Sequence, residues 1–454
     1  MRTCNALPAT TAAYALSSDD ETMLDTLQHS AFDYFVQQGN TSNGLVADTS
    51  RPGSHASIAV VGFALSVYPV GVERGWMSRA EALRRSLAAL QLFQNGDQRG
   101  TPDSTGYKGF YFHFLHMDSG TRAWECEVSL IDTALLLAGM LTAAAYFTED
   151  CADETTLRAL VEALYQRVDW TWSQPKGTAV VHGWKPGSGF LNYGWEGYSE
   201  ALLMYALGLG SPTHALTESS FPAWTSTYQW ENLYGIDFLY AGPLFIHQFS
   251  HAWIDFRGIR DHFMREKRCD YFENSRRATY VQREYAIRNP HSFTGYDEDD
   301  WGLSAGDGPS TPRQQVAGCR QSFYGYAARG VPWGPDDGTI SGPAVLSSLP
   351  FAPEIVLPAL RKLQSRGDDV LARASAYNNT VRVEEATDGA TKPPSAAQWI
   401  SEGRFGLDQG MIVLMVENLR SGLPWRLLRD SKPIRTGLHR AGFRGGWLAK
   451  GEPQ

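Results

Sequence analysis

The chain has 454 residues, of which 43% are hydrophobic and 20% are charged, and its formal net charge is −9 at pH 7. This composition is typical of a globular protein, and the length can hold two or three average domains or one large helical barrel. Because the chain is acidic and has no basic stripe, we expect no nucleic acid partner.

Aromatic residues are numerous, with 14 Trp, 20 Tyr and 21 Phe, and many of them lie in glycine-rich segments without helical periodicity. Flat rings in loops favour a groove that stacks an uncharged ligand. The five cysteines are scattered without a C-x-x-C pair, so neither a disulfide framework nor a zinc knuckle is predicted, although a single disulfide stays open.

The first 20 residues lack the apolar core of a signal peptide. We therefore expect either a cytoplasmic protein or one that is periplasmic or secreted after removal of a leader. The longest uncharged apolar run, residues 133–147, is shorter than the ~20 residues of a membrane span, so we expect a buried helix and no span.

Helical patterns follow one another along the chain. They cover residues 58–68, 78–95, 128–147, 155–168, 197–208, 243–256, 271–287, 353–366 and 410–420, and strand patterns are confined to short pieces such as 110–115 and 179–183. Segments that are apolar all round alternate with amphipathic ones, which indicates inner and outer helices. The long connections 289–349 and 387–408 are expected to form the rim of a cleft.

Glu200 is the single acid in a largely apolar helical pattern that follows an aromatic and glycine-rich turn, NYGWEGYSEALLMYALGLG. The sequence places it in the first turn of that helix, where the helix dipole alone contributes only about 0.3–1 kcal/mol, too little to offset burial. It is therefore expected to line a polar cavity, with Trp195 and Tyr198 as stacking rings for sugar residues. Capping of its own helix, or pairing with an arginine, is the alternative.

Eight segments in order resemble the bacterial glucoamylase-like domain, a group that includes endo-β-1,2-glucanases and the transglycosylating domain of cyclic β-1,2-glucan synthases. They are SIAVVGFALSVYPVGVERGWMSRAEA, GFYFHFLHMDSGTR, EVSLIDTALLLAGML, GYSEALLMYALGLGSPTH, HQFSHAWIDFRGIRD, WGLSAGDGP, DGTISGPAVLSSLPFAPE and GLDQGMIVLMVENLRSGLPW. The resemblance implies an all-α fold, an (α/α)6 barrel with short β-hairpins and long loops at the substrate cleft. We expect an N-terminal extension over 1–25, the barrel over 26–430 and a C-terminal tail over 431–454.

Glycoside hydrolysis requires two carboxyl groups, so a second acid is needed beside Glu200. Candidates in motif segments are Glu127, Asp132, Asp307 and Asp408. We expect Glu200 as general acid and Asp408 as general base, which leaves room for a water and predicts inversion. The resemblance also implies a catalytic role for Glu127, and a pair of Glu127 and Glu200 would instead predict retention and transfer.

The same acids have plainer interpretations. Asp408 can be a helix N-cap, and Glu127 and Asp132 can fix loops through hydrogen bonds. The remaining expectation is a set of substrate-binding residues: Trp195, Tyr198, Trp301, Asp307, Arg122, Asp132, His113 and Gln409.

No metal and no cofactor are expected. His247, His251 and Asp255 recur at i, i+4 and i+8, a spacing that can present metal ligands, but histidines satisfied within a wall of helices are the preferred interpretation. The acidic run 297–300 lacks the pattern of a calcium loop.

The sequence departs from the family pattern at Met411, at 377–379 and at 321–335. These segments are expected to border the glucan groove. The leading hypothesis is an endo-acting β-1,2-glucan hydrolase, monomeric or weakly dimeric. Alternatives are a transglycosylase or an exo-acting hydrolase on the same scaffold, and a glucan-binding protein without catalysis.

Overall fold

Long apolar segments fold as helices, and short paired strands lie between them. The computed structural model describes residues 14–366, 375–381 and 399–449. The helices are α1 Ser18–Gln37, α2 Ile58–Glu73, α3 Arg79–Asn95, α4 Leu130–Tyr146, α5 Ala152–Arg167, α6 Leu202–Gly210, α7 Ser220–Thr225, α8 His262–Glu266, α9 Tyr271–Arg288, α10 Gly342–Ser347, α11 Pro353–Gln364, α12 Gly406–Arg420, α13 Leu423–Arg429 and α14 Lys432–Arg440, with 3-10 turns at Trp170–Ser173, Leu244–His247, Phe249–Ala252 and Gly446–Ala449.

The strands are two to four residues long. They are β1 Ala56–Ser57, β2 Gly106–Tyr107, β3 Phe110–Phe112, β4 Phe114–Leu115, β5 Val128–Ser129, β6 Gly183–Lys185, β7 Gly189–Phe190, β8 Trp230–Leu233, β9 Ile236–Leu239, β10 Ala305–Gly306, β11 Gln314–Val316, β12 Cys319–Gln321, β13 Ala327–Ala328, β14 Thr339–Ile340, β15 Tyr377–Asn378 and β16 Trp399–Ile400. The predominantly helical class is confirmed, and the strands form small antiparallel pairs and sheets.

The chain divides into two compact units. Unit 1 contains the chain up to Leu27 with residues 230–248 and 274–404, and unit 2 contains residues 28–229, 249–273 and 405 onward.

Unit 2 has an inner layer of apolar helices. Helix α2 packs against α4 and α12, and α4 packs against α6. All residues of α2 from Ile58 to Gly71 are buried, in keeping with a sequence that is apolar all round. Gly62 and Gly139 lie where α2 and α4 touch, and a Cβ on either would overlap backbone of the other helix. The glycines therefore permit the close approach of these two helices.

Amphipathic helices cover this inner layer. Helix α3 packs on α2 and α5, and α5 also packs on α4. The predicted start of α3 is confirmed, because the Ser78 hydroxyl accepts a hydrogen bond from the Glu81 amide at 3.2 Å. In α5 the buried face includes Leu157, Val161 and Leu164, as the 3.6-residue period predicts.

A five-stranded sheet in unit 2 has the order β2-β3-β5-β6-β7. Its central strand β5 leads directly into α4. Phe112 faces Val128 on one side, and Ser129 faces Gly183 on the other. The sheet thus holds β5 along both of its edges, and Glu127 immediately precedes this strand.

The predicted C-terminal tail begins as folded structure. Helix α14 packs against α6, and its Ile434 and Leu438 are buried. A Cβ on Gly437 would overlap the Ala206 backbone, so a glycine is required at this contact. Residues 432–449 therefore belong to unit 2, while 1–13 of the predicted extension and 450–454 of the tail lie outside the described residues.

The predicted helix over 243–256 is wrong. The chain forms 3-10 turns at Leu244–His247 and Phe249–Ala252 instead. In unit 2 the His251 carbonyl accepts from the Trp425 indole at 2.6 Å, and the Ala252 carbonyl accepts from the Asn418 amide at 3.0 Å. These side chains capture carbonyls that a continuing helix would use, which accounts for the interruption.

Unit 1 is organised around helices and hairpins. Helix α10 packs against α11, and a three-stranded sheet has the order β14-β15-β16. Arg329 and Asp337 are 1% and 0% exposed and form a two-pronged ion pair with distances of 2.7 and 2.8 Å. The Arg329 guanidinium also donates to the carbonyls of Gly306 and Asp307. The ion pair therefore anchors the long connection 289–349.

Candidate active site

Glu200 lies in the turn before α6, two residues before its first residue, Leu202. This corrects the expectation that Glu200 belongs to the helix itself. Gly197 has a φ of 72°, which allows the chain to turn sharply just before the acid. The buried Ser250 hydroxyl donates to the Glu200 carbonyl at 2.8 Å and accepts from the Leu203 amide at 3.0 Å. Ser250 therefore caps the helix from a distant segment and fixes the backbone that carries Glu200.

The two aromatic residues beside Glu200 are packed. Trp195 is 8% exposed and stacks on His182 with ring centroids 4.2 Å apart. Its indole nitrogen is buried and has no hydrogen-bond partner among the described residues. Tyr198 is 9% exposed and packs against the rings of Tyr228 and Tyr271 at 5.7 and 5.8 Å.

Glu127 and Asp132 flank the imidazole of His113. The Nδ1 atom of His113 lies 3.0 Å from Glu127 Oε1, and its Nε2 atom lies 3.5 Å from Asp132 Oδ2. Asp132 is in the first turn of α4, where Ser129 caps the helix and its hydroxyl donates to Asp132 Oδ2 at 2.5 Å. Three residues that the sequence singled out separately thus form one charged group in unit 2.

Asp48 joins this group, although the sequence did not mark it as a candidate. It interacts electrostatically with both His113 and Asp132. The only sequence signal is one acid directly after the buried residues Leu45, Val46 and Ala47, in a connection rich in Ser and Gly. Such a signal is too common to assign a function without the fold.

The acids differ in their tendency to hold a proton. Burial raises the pKa of Glu200 to about 7, and the Asp132 charge adds to this effect. Burial also raises the pKa of Asp48 to about 6, with His113 acting in the opposite direction. In contrast, the hydrogen bond from His113 holds the pKa of Glu127 below its usual range.

His113 carries a stabilised positive charge. Burial by itself would lower the pKa of its imidazole, but Asp132, Glu127 and Asp48 outweigh burial and raise the pKa to about 9. At neutral pH a protonated His113 therefore faces ionised Glu127 while Glu200 retains much of its proton. Glu200 and Glu127 thus provide one carboxyl group that holds a proton and one that is ionised, as general acid–base catalysis requires.

Asp408 is the third residue of α12, whose N-cap is Phe405. The plainer interpretation of Asp408 as an N-cap is therefore wrong, because α12 begins four residues earlier than predicted. The Gly406 amide donates to the Asp48 carbonyl at 2.8 Å, so α12 begins beside Asp48. Asp408 is half-buried, and its neighbour Gln409 is 3% exposed.

Arg122 has a structural partner. Its Nε atom donates to the Cys126 carbonyl at 2.7 Å, and its guanidinium lies 4.8 Å from the centroid of the Phe112 ring. These contacts close the loop that leads to Glu127. A direct contact between Arg122 and substrate stays a prediction.

Trp301 and Asp307 belong to unit 1. Trp301 is 1% exposed, so its ring is packed in the protein interior. Asp307 is half-buried, and its carbonyl accepts from Arg329 at 3.2 Å. Substrate binding by either residue stays a prediction.

No group of three or more His, Cys, Asp or Glu side chains within the described ranges is arranged to hold a metal ion. His247 Nε2 lies 3.2 Å from the Ala241 carbonyl oxygen, and Asp255 forms ion pairs with Arg257 and Arg429. Among the same residues, no helix has the length and apolar character needed to cross a membrane.

Solved structures of bacterial proteins resemble this chain over nearly its whole length. The structure of a "putative glucoamylase" from Bacteroides uniformis is 28% identical, with a TM-score of 0.81 over 96% of this chain and 100% of that chain. The structure of an endo-β-1,2-glucanase from Chitinophaga pinensis, in complex with sophorotriose and glucose, is 25% identical, with a TM-score of 0.80 over 95% of this chain and 100% of that chain.

A second named relative, like the C. pinensis protein, has a name that refers to β-1,2-linked glucose chains. The exo β-1,2-glucooligosaccharide sophorohydrolase of Parabacteroides distasonis, which acts at the non-reducing end, is 25% identical to 95% of this chain. The chain spans 59% of the length of that relative.

A family model supplies the assignment. The Glycoamylase family, described as "Putative glucoamylase", matches residues 192–432, which is more than half of the chain. The match includes the turn of Glu200 and the first turn of α12. The structural likeness and this match lead to one conclusion: the chain belongs to the glucoamylase-like family.

Proposed function

We propose that the protein is a glycoside hydrolase that cleaves β-1,2-glucan internally. The observation that carries the proposal is Glu200, a carboxyl group whose pKa is raised to about 7 and whose turn is fixed by Ser250. A glycosidase needs such a proton donor at neutral pH. The named activities of the C. pinensis and P. distasonis relatives support β-1,2-glucan as substrate, and the former supports internal cleavage.

The proposed fold of the catalytic region is an (α/α)6 barrel. It is supported in unit 2 by the inner series α12, α2, α4 and α6 and by the outer helices α3, α5 and α14. In such a barrel the loops at one end of the inner helices converge, which suits acids that lie at the start of α4, α6 and α12.

In the proposed reaction Glu200 donates its proton to the glycosidic oxygen, and the bond between that oxygen and C1 breaks. Asp408 accepts a proton from a water whose oxygen bonds to C1 from the opposite face. The new reducing end is then the α-anomer, because inversion changes the β configuration. The products leave with one water added, and proton exchange with solvent restores both acids.

Glu127 is the alternative partner of Glu200. Its ionised state beside His113 suits a nucleophile or a base. A nucleophilic Glu127 would form a glycosyl-enzyme and favour transfer to sugar acceptors. A protein that binds glucan without catalysis is disfavoured, because it has no need of a half-buried carboxyl group that must hold its proton.

Product analysis on linear β-1,2-glucan tests the proposal. Internal cleavage gives oligosaccharides of many lengths at early times, whereas the exo mode named for the P. distasonis relative gives a single short product from the start. Other β-glucans and α-glucans serve as controls. Activity on one of these controls, with none on β-1,2-glucan, would overturn the substrate assignment.

A further inference from the structure

Trp124 is an exposed ring in a firmly held loop of unit 2. It is 63% exposed, although its neighbours Ala123 and Cys126 are buried. Its φ of 52° lies in the left-handed region, which a bulky side chain rarely adopts. A residue kept in an unfavourable conformation with its ring in solvent is better explained by function than by stability.

The loop around Trp124 is closed by several contacts. The Ala123 amide donates to the Phe114 carbonyl at 2.9 Å, and the Phe114 amide donates to the Cys126 thiol sulfur at 3.4 Å. Arg122 spans the loop through its bond to the Cys126 carbonyl at 2.7 Å. Trp124 is therefore presented on a rigid backbone, which limits the entropy lost when a ligand binds.

Two aromatic rings pack nearly perpendicular to the Trp124 indole. The ring centroid of His55 lies 4.5 Å away at 75°, and that of Phe114 lies 5.0 Å away at 67°. We name Trp124, His55 and Phe114 the Trp124 platform. These contacts restrict the orientation of the indole, while 63% of the residue remains exposed to solvent.

The Trp124 platform is continuous with the charged group. The Phe114 ring stacks on the His113 imidazole with centroids 3.9 Å apart. The His55 carbonyl accepts from the Asp48 amide at 2.8 Å. One ring therefore separates Trp124 from His113, and the side chains of His113 and Glu127 are 28% and 26% exposed.

We propose that the Trp124 platform is a sugar-binding subsite that stacks a glucosyl residue remote from the bond being cleaved. This inference rests on the proposed function, because it takes a β-linked glucan as the ligand. The indole offers a flat apolar face to the C–H face of a pyranose ring, and no charge on the ligand is needed. Such a subsite makes long chains better substrates than short ones and favours internal cleavage.

Trp124→Gly is the most informative variant. Glycine adopts a positive φ without strain, so the substitution removes the ring without a loss of stability from the backbone. Trp124→Phe retains a smaller ring. Trp447→Phe is the matched control, because this half-exposed tryptophan of unit 2 donates to the Asp255 carbonyl and has no part in the platform.

The experiment measures kcat and KM on linear β-1,2-gluco-oligosaccharides of increasing length, with thermal unfolding of each variant. For wild type kcat/KM should rise with length until the platform is occupied. Trp124→Gly should lower kcat/KM about fivefold or more on the long substrates through KM and leave the shortest substrates within about twofold, since stacking contributes only to chains that reach the ring. Trp124→Phe should be intermediate, and Trp447→Phe should match wild type.

The two proposals fail in different ways. If wild type cleaves β-1,2-glucan and Trp124→Gly has the same length dependence with an unchanged melting temperature, the subsite is overturned and the proposed function stands. An equal loss at every length overturns the subsite as well, because it places Trp124 at the reacting bond. If wild type neither binds nor cleaves β-1,2-glucan, the proposed function and this inference fall together.

Discussion

Glu200 and Asp408 supply the two carboxyl groups of the proposed reaction. Replacing each by its amide removes the proton transfer while keeping the shape. We expect Glu200→Gln and Asp408→Asn each to lower kcat at least ~10²-fold on β-1,2-glucan, the lower end of what general acid–base groups contribute. Glu196→Gln, an exposed acid of the same turn, is the control and should retain activity. Near wild-type activity in either amide variant, with unchanged unfolding, would remove that residue from the chemistry.

The raised pKa of Glu200 predicts a pH dependence. As general acid Glu200 acts only when protonated, and its pKa is about 7. We therefore expect kcat/KM to fall about tenfold per pH unit above about pH 7. The pH dependence of kcat/KM reports the pKa of the group in the free enzyme. A pH–rate profile on a short oligosaccharide measures it. Full activity at pH 9 would contradict the assignment of Glu200 as the acid.

The sequence identified most of the acids, but it did not show how they are arranged. Glu127, Asp132, Glu200 and His113 were singled out, and the structure brings them into one region of unit 2. Asp48 escaped notice, because its role depends on contacts between segments far apart in the chain. Likewise, nothing in the local pattern shows that Trp195 stacks on a histidine and that Trp301 is buried.

At the scale of elements, most helices were predictable because their apolar periodicity is strong. The errors lie where side chains compete for backbone groups. Two 3-10 turns replace the predicted helix over 243–256, and Trp425 and Asn418 bind carbonyls of the second turn. Helix α6 begins after Glu200 because Ser250 supplies its cap. Partners of this kind come from elsewhere in the chain, and a local pattern cannot reveal them.

Ser250 is expected to act as a positioning residue for Glu200. Ser250→Ala removes the bond to the Glu200 carbonyl and leaves the Leu203 amide without its cap. We expect kcat to fall about tenfold with a smaller change in KM, because the acid loses its orientation, and stability to fall by about 1 kcal/mol. Steady-state kinetics and thermal unfolding measure both effects.

Two controls separate positioning by Ser250 from packing. Ser250→Thr keeps the hydroxyl and should recover most of the activity. Ser66→Ala removes another buried hydroxyl of unit 2, which accepts from the Trp253 indole, and should lower stability without lowering kcat. Equal kcat in Ser250→Ala and wild type would limit Ser250 to a role in folding.

At the scale of the whole molecule, His113 couples stability to pH. The pKa of its imidazole rises from 6.5 to about 9 on folding. The His113 imidazole therefore contributes to the free energy of unfolding. This contribution is fully present below pH 6.5 and is lost as pH rises through 9. We expect the melting temperature of wild type to exceed that of His113→Gln most at pH 6 and least at pH 10. A difference in melting temperature between wild type and His113→Gln that stays constant from pH 6 to pH 10 would contradict this coupling.

The family and the predominance of helices followed from motifs and periodicity. The division into two compact units did not, because it depends on contacts between segments far apart in the sequence, such as 28–229 and 405 onward. The predicted tail over 431–454 also proved to carry a helix that packs on α6, since burial of Ile434 and Leu438 outweighs the polar residues between them.

The most direct measurement is proton NMR of the first products formed from linear β-1,2-glucan by the wild-type protein and by Glu200→Gln. Cleavage driven by protonation from Glu200, with a water activated by Asp408, predicts new reducing ends that appear first as the α-anomer and that are lost in the variant. An initial β-anomer would move the base role from Asp408 to a nucleophile such as Glu127. The same rate of new reducing ends in wild type and Glu200→Gln would contradict the proposal that Glu200 protonates the glucan linkage.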